Sequence, residues 1–222
     1  MTKNYWLNRW KHDEIGFHQD MFNRHLLEYW QTLKLKAGSQ IFVPLCGKTR
    51  DMAWLRNQGH SVLGVELSTL AIKAFYKENG LPANHFSGKK FDYYATDHIQ
   101  ILQGDFFDLD KHDVNKVNAV YDRASLVALP PGTRQRYVNH MLHILSPATQ
   151  ILLISFDYPQ SEMQGPPFAV SPDEVVELYQ NHAEIHLLAQ IDILEENPRF
   201  QQRGLSRLQE SIFLLILNRL TE

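Results

Sequence analysis

The chain has little of what secreted, membrane and dinucleotide-binding proteins display. A single cysteine, Cys46, in 222 residues excludes an intrachain disulfide and fits a reducing compartment. The longest apolar runs, residues 151–154 and 212–217, fall far short of the roughly 20 residues that span a bilayer. The opening Met1-Thr-Lys-Asn-Tyr-Trp has no apolar stretch of the secretory kind. Charge of one sign is scarce too: 22 Lys and Arg against 25 Asp and Glu leave −3, with no basic face for nucleic acid. The expectation is a soluble cytoplasmic monomer that binds neither membrane nor nucleic acid.

Two signatures are also missing. A dinucleotide site needs Gly-x-Gly-x-x-Gly so that backbone amides can approach a pyrophosphate, yet the turn Pro44-Leu-Cys-Gly-Lys-Thr-Arg-Asp holds only Gly47. This disfavours an NAD-dependent oxidoreductase. Lys48-Thr49 follows a glycine but lacks the first glycine of a phosphate-binding loop. The 11 histidines show no tight ligand spacing with Cys, Asp or Glu, so no metal is expected; His140 and His143 read as partly buried helix residues. Cys46 lies near a helix start, which lowers a thiol pKa, but no base accompanies it and no nucleophile role is assigned.

What is present begins with Gln40-Ile-Phe-Val-Pro-Leu-Cys-Gly-Lys and Ser61-Val-Leu-Gly-Val-Glu-Leu-Ser. Residues 41–44 and 62–65 are short, apolar and β-branched, as parallel strands buried on both faces are. A helix over 51–57 joins them, and Ser68 is placed to cap the next, which Gly80 and Pro82 stop. Before this unit, Trp6 and Trp10 stand four apart on one helical face. Phe22, Leu26, Trp30 and Leu33 predict a second amphipathic helix over residues 20–33.

Residues 81–97 read as an insertion or short hairpin. Further strands are expected over 98–103, 117–122, 150–156, 184–193 and 208–217, with helices over 133–145 and 173–181. The proline-rich stretch 157–172 has the length of a functional lid, and the link 194–207, without a clear helix, suits an antiparallel last strand. The fold class is therefore α/β: an about seven-stranded, mostly parallel sheet with an antiparallel last strand and helices on both faces. That pattern belongs to Rossmann-like methyltransferases. One domain over 1–222 is expected, with residues 1–35 as a helical lid.

Ligands of open α/β sheets lie beyond the carboxyl ends of the strands. Those ends carry Leu45-Cys-Gly-Lys, Glu66, Gly104-Asp105-Phe106-Phe107, Asp122-Arg123 and Asp157. Recurrent acids suit a phosphate-free nucleoside bearing a sulfonium and an ammonium. Glu66 is then the acceptor for ribose hydroxyls, with Asp105 and Phe106 at the adenine edge and face. Arg123 is a charge beneath a ligand, or else the ion-pair partner of Asp122 or Asp105.

Several segments together resemble the thiopurine S-methyltransferases over essentially the whole length: Tyr5-Trp-Leu-Asn-Arg-Trp, Ile15-Gly-Phe-His, Phe42-Val-Pro-Leu-Cys-Gly-Lys, Gly59-His-Ser-Val-Leu-Gly-Val-Glu, Tyr121-Asp-Arg-Ala-Ser-Leu-Val-Ala-Leu and Gly165-Pro-Pro-Phe. The resemblance implies a Rossmann-like class I fold. It implies S-adenosylmethionine held by Trp10, Leu45, Glu66, Asp105, Phe106 and Arg123. It also implies a small thiol acceptor, such as a thiopurine, met by Phe17, Arg123 and Arg199. Heteroaromatic thiols ionise near neutral pH, so no obligatory catalytic base is expected. The alternatives are a methyltransferase for selenium or tellurium compounds or another small thiol, and a noncatalytic protein that binds an adenosine ligand.

Overall fold

The structure is a computed structural model and describes residues 2–218. Helix α1 (Lys3–Lys11) starts at Thr2, whose side chain accepts the Tyr5 N–H. None of its residues is buried. It is held instead through Trp6 and Trp10, whose rings meet Phe17 edge-on at 5.9 and 5.5 Å.

Helix α2 (Arg24–Tyr29) is shorter than the spacing predicts and continues as a 3-10 turn over Trp30–Leu33. The expected start at residue 20 is corrected by Asn23. Its side chain accepts the His25 and Leu26 N–H groups, and its own N–H goes to Asp51 Oδ1 at 2.8 Å. Phe22 continues the apolar period but precedes the cap, and the buried stripe is Leu26, Trp30 and Leu33. Asn23→Ala is expected to cost about 1 kcal/mol, read as a lower urea midpoint at unchanged slope; an unshifted midpoint would mean the cap contributes nothing.

Strand β1 (Gln40–Val43), helix α3 (Asp51–Asn57), strand β2 (Ser61–Glu66) and helix α4 (Thr69–Glu78) follow in the expected order. Ser68 caps α4 by accepting the Ala71 N–H. Residues 81–97 form a hairpin of β3 (Asn84–Ser87) and β4 (Asp92–Thr96), and β4 runs antiparallel to β5 (Ile99–Gln103). Strand β6 (Val117–Arg123) comes next. Parallel pairing joins β5 to β2, β2 to β1, and β1 to β6. Ile41, Phe42, Val65 and Ile101 are fully buried there.

The chain divides into two compact units at residues 121 and 122. The second continues with α5 (Pro131–Ile144), β7 (Gln150–Asp157), α6 (Pro172–Tyr179), β8 (Ala183–Asp192), α7 (Pro198–Gln201) and β9 (Gln209–Leu217). Strand β9 is antiparallel to both β7 and β8, as expected of the last strand. The described residues hold nine strands instead of about seven, the excess being the hairpin β3–β4. Helix α7 also corrects the reading of 194–207 as helix-free: Pro198 is its first residue, where a missing N–H is harmless. Among the described residues no helix is long and apolar enough to cross a membrane.

Candidate functional site

The register of the first unit sets Val43 against Gly64 and Glu66 against Gln103, so the carboxyl ends of β1, β2 and β5 lie side by side. The chain builds outward from β1 through β2 to β5 and then returns to pair β6 on the other flank of β1. That reversal is the place where open sheets of this class bind ligands.

The turn after β1 is tightly specified. Leu45 and Gly47 are both left-handed, at φ 46° and 53°. For a leucine that conformation persists only where the surroundings impose it. They do so through Glu66, at the tip of β2. Its Oε2 accepts the Gly47 N–H at 2.8 Å and its Oε1 accepts the Ser68 N–H at 2.7 Å. Glu66 is buried; desolvation raises its carboxyl pKa, while the amides of Ser68, Gly47 and Leu67 pull the other way. A Cβ placed on Gly47 would lie 3.0 Å from the Trp10 ring, so the indole rests directly on this turn.

Asp105 follows β5 and caps a 3-10 turn over Phe106–Asp108, its Oδ1 accepting the Phe107 N–H at 2.9 Å. Its Oδ2 meets the Lys3 ammonium at 2.6 Å, which raises the Lys3 pKa by hydrogen bond and charge. Helix α1 is therefore tied at one end to the tip of β5 and at the other, through Trp10, to the tip of β1. The Phe106 ring is buried and stacks on Phe42 at 6.4 Å, which places it in the core.

In the second unit, Arg123 is the half-buried last residue of β6, and Ala124 after it is left-handed at φ 63°. Asp122 beside it receives the Tyr137 hydroxyl at 2.7 Å. Arg199, on α7, lies over the Phe200 ring at 4.8 Å, and Arg203 faces the same ring at 5.9 Å. Burial of the charged end lowers the Arg199 pKa first, and the like charges of Arg203 and Arg123 lower it further.

Trp10, Leu45 and Glu66 thus meet at one turn, Asp105 stands one strand beyond, and Phe17 packs on Trp6 and Trp10. The expected low thiol pKa of Cys46 is corrected: burial, and then the Glu66 charge, push it up. The helix start does not reach a thiol enclosed in the core. Three participants were not foreseen. Lys3 has no sequence signal beyond its sign. Asp51 accepts bonds from Asn23 N–H, Thr49 Oγ1 and Tyr121 Oη, and the Thr49-Arg-Asp spacing after the turn is its only trace. Tyr137 falls in the helix expected over 133–145, but nothing in the sequence marks it as the partner of Asp122. Among the described residues no group of three or more His, Cys, Asp or Glu stands ready for a metal ion.

The family model described as thiopurine S-methyltransferase (TPMT) matches residues 1–218. The chain belongs to the thiopurine S-methyltransferase family. A thiopurine S-methyltransferase of Nitrosospira multiformis is 62% identical over 216 residues, covering 97% of this chain and 98% of that protein. One of Bordetella petrii is 46% identical over 215 residues, covering 97% and 98%. Among solved structures, Burkholderia thailandensis 1,6-didemethyltoxoflavin-N1-methyltransferase, with bound 1,6-didemethyltoxoflavin and S-adenosylhomocysteine, aligns at TM-score 0.63 and 14% identity. The alignment covers 97% of this chain and 87% of that one. A SAM-dependent methyltransferase of Methanosarcina mazei aligns at 0.61 and 15%, covering 91% and 100%. At such identities the likeness concerns the fold, which is the Rossmann-like class I methyltransferase fold. In this member of the thiopurine S-methyltransferase family, the segments that carried the resemblance are α1, the Ile15-Gly-Phe-His stretch after it, the turn after β1, β2 up to its tip, the end of β6 with the turn that follows, and Gly165-Pro-Pro-Phe between β7 and α6.

Proposed function

We propose that this protein is an S-adenosylmethionine-dependent S-methyltransferase of aromatic and heterocyclic thiols such as thiopurines. It works in the cytoplasm as one domain over residues 1–222, with residues 1–35 as its lid. The buried Glu66 carboxylate carries the reading. It sits at the tip of a parallel strand beside a turn that lacks the glycines a pyrophosphate requires, so it suits a nucleoside without phosphates. The carboxylate fits that group: Oε2 takes the Gly47 N–H, Oε1 takes the Ser68 N–H and the Leu67 amide lies beside them, and a carboxylate with about four lone-pair sites keeps acceptor capacity beyond these amides for a ribose hydroxyl.

When bound, S-adenosylmethionine supplies an electrophilic methyl group on a cationic sulfur. The residues of the chain supply the rest. Glu66 orients the sugar, and Leu45 and Gly47 present the backbone of the turn. Asp105 accepts at the adenine edge, and Phe106 contributes through the 3-10 turn it opens. Trp10, with Trp6 and Phe17, gives an aromatic face that favours a cation and keeps water out. An anionic acceptor and a cationic donor neutralise one another as they react, so exclusion of water favours the step. Arg123 and Arg199 favour the ionised thiol by charge, which removes the need for a strong base.

Calorimetry with S-adenosylmethionine, followed by methylation assays on thiols of graded pKa and on selenium compounds, tests the reading. Arg123→Ala is expected to lower kcat/KM about tenfold for thiols that are mostly protonated at the assay pH, and less than about threefold for those already ionised. Equal losses on both groups would remove the charge role, and preferred turnover of selenium species would move the assignment to them.

A further inference from the structure

We propose that Asp122, held by Tyr137, is a positioning residue for Arg123. The inference rests on the charge role given to Arg123 above. Asp122 is 1% exposed, and its Oδ2 accepts the Tyr137 hydroxyl at 2.7 Å. The Ser125 hydroxyl and the Leu126 amide lie beside this carboxylate and favour its charged form, while its Oδ1 has no hydrogen-bond partner among the described residues. One acceptor therefore gathers the end of β6, the turn that follows it and helix α5. Arg123 and Ala124 form the crown of the loop so closed, and Ala124 is left-handed at φ 63°.

An alanine keeps that conformation only where its neighbours leave no other path. Successive strand residues point to opposite faces, so fixing Asp122 inward fixes the direction in which Arg123 leaves the strand. Helix α5 holds the loop at a second point. Arg134, three residues before Tyr137 and on the same helix face, donates to the carbonyls of Leu126 at 3.4 Å and Leu129 at 3.1 Å. Burial raises the Asp122 carboxyl to about 6, against the pull of Tyr137, Leu126 and Ser125. An apolar residue there would avoid that penalty but would gather none of these groups.

Tyr137→Phe removes one oxygen and keeps the ring; Ser125→Ala removes a second polar neighbour of the carboxylate by a smaller change. Kinetics are read with a thiol that is mostly protonated at the assay pH, in the native and Arg123→Gln backgrounds. Tyr137→Phe is expected to lower kcat about tenfold with KM for S-adenosylmethionine within about twofold, and to cost less than about twofold more once Arg123 is gone. Ser125→Ala should follow the same pattern at smaller amplitude, and it decides the matter by itself where Tyr137→Phe does not fold. Equal losses in both backgrounds would show the network acting independently of Arg123 and overturn the proposal while leaving the role of Arg123 standing. An Arg123→Gln variant with undiminished turnover would overturn the role of Arg123 first, and this proposal with it.

Discussion

Glu66→Ala is expected to weaken S-adenosylmethionine binding at least about tenfold and to lower folding stability by about 2–4 kcal/mol. The second effect has its own cause. The carboxylate accepts the N–H groups of Gly47 and Ser68, and each loses a charged acceptor inside the protein. Relief of the buried charge offsets part of that loss.

Glu66→Gln separates the two effects. It keeps the volume and one acceptor but turns an N–H₂ toward one backbone donor, so about half the stability loss is expected, with donor affinity still clearly reduced. Binding is measured by calorimetry at a temperature where each variant is folded. Unchanged affinity in both would sink the sugar-acceptor role even though stability falls.

The pH dependence carries a further sign. Because burial raises the Glu66 carboxyl in the folded state, the native protein takes up this proton at higher pH than the unfolded chain. Across that interval the contribution of Glu66 to stability rises as pH falls, opposite to that of a paired surface carboxylate. Glu66→Gln should abolish the trend.

The β1–α3–β2–α4 unit was legible because its signals are local: two β-branched apolar runs, a serine cap and glycine stops. Helix α2 was misjudged at its start because Phe22 continues the apolar period, while the boundary is set by the side chain of Asn23 and a bond to Asp51, 28 residues away. Hairpin β3–β4 was only half visible, since β3 is exposed throughout and shows no alternation. At the site, an acid closing a strand announced Glu66. Its grip on two backbone amides was hidden, because that depends on how the turn after β1 folds back. Phe106 shows the limit from the other side: an aromatic after Gly-Asp at a strand end gives no sign of the ring it stacks on, which is Phe42. Arg134 gave no sign at all, since a lone arginine in a polar helix segment reads as a solvated charge.

Arg134 is where the largest loss of stability is expected. The side chain is 1% exposed, forms an ion pair with Glu174, and donates to the carbonyls of Leu126 and Leu129. Arg134→Ala removes every donor at once and leaves a cavity the length of the side chain. About 3–5 kcal/mol is expected, read from urea unfolding. Glu174 is 30% exposed by its side chain and can turn to water, so the loss falls mainly on the buried carbonyls and the packing. Two companions test that division. Glu174→Gln should cost only about 1 kcal/mol, because Arg134 keeps both carbonyls. Arg134→Met restores most of the volume without donors and should recover about half of the alanine loss. A methionine variant as stable as the native protein would show that the carbonyls find other donors, and the arginine would then be needed for packing alone. A methionine variant as unstable as the alanine one would make hydrogen bonding the whole effect, with the backbone from Leu126 to Leu129 held in place by a single guanidinium.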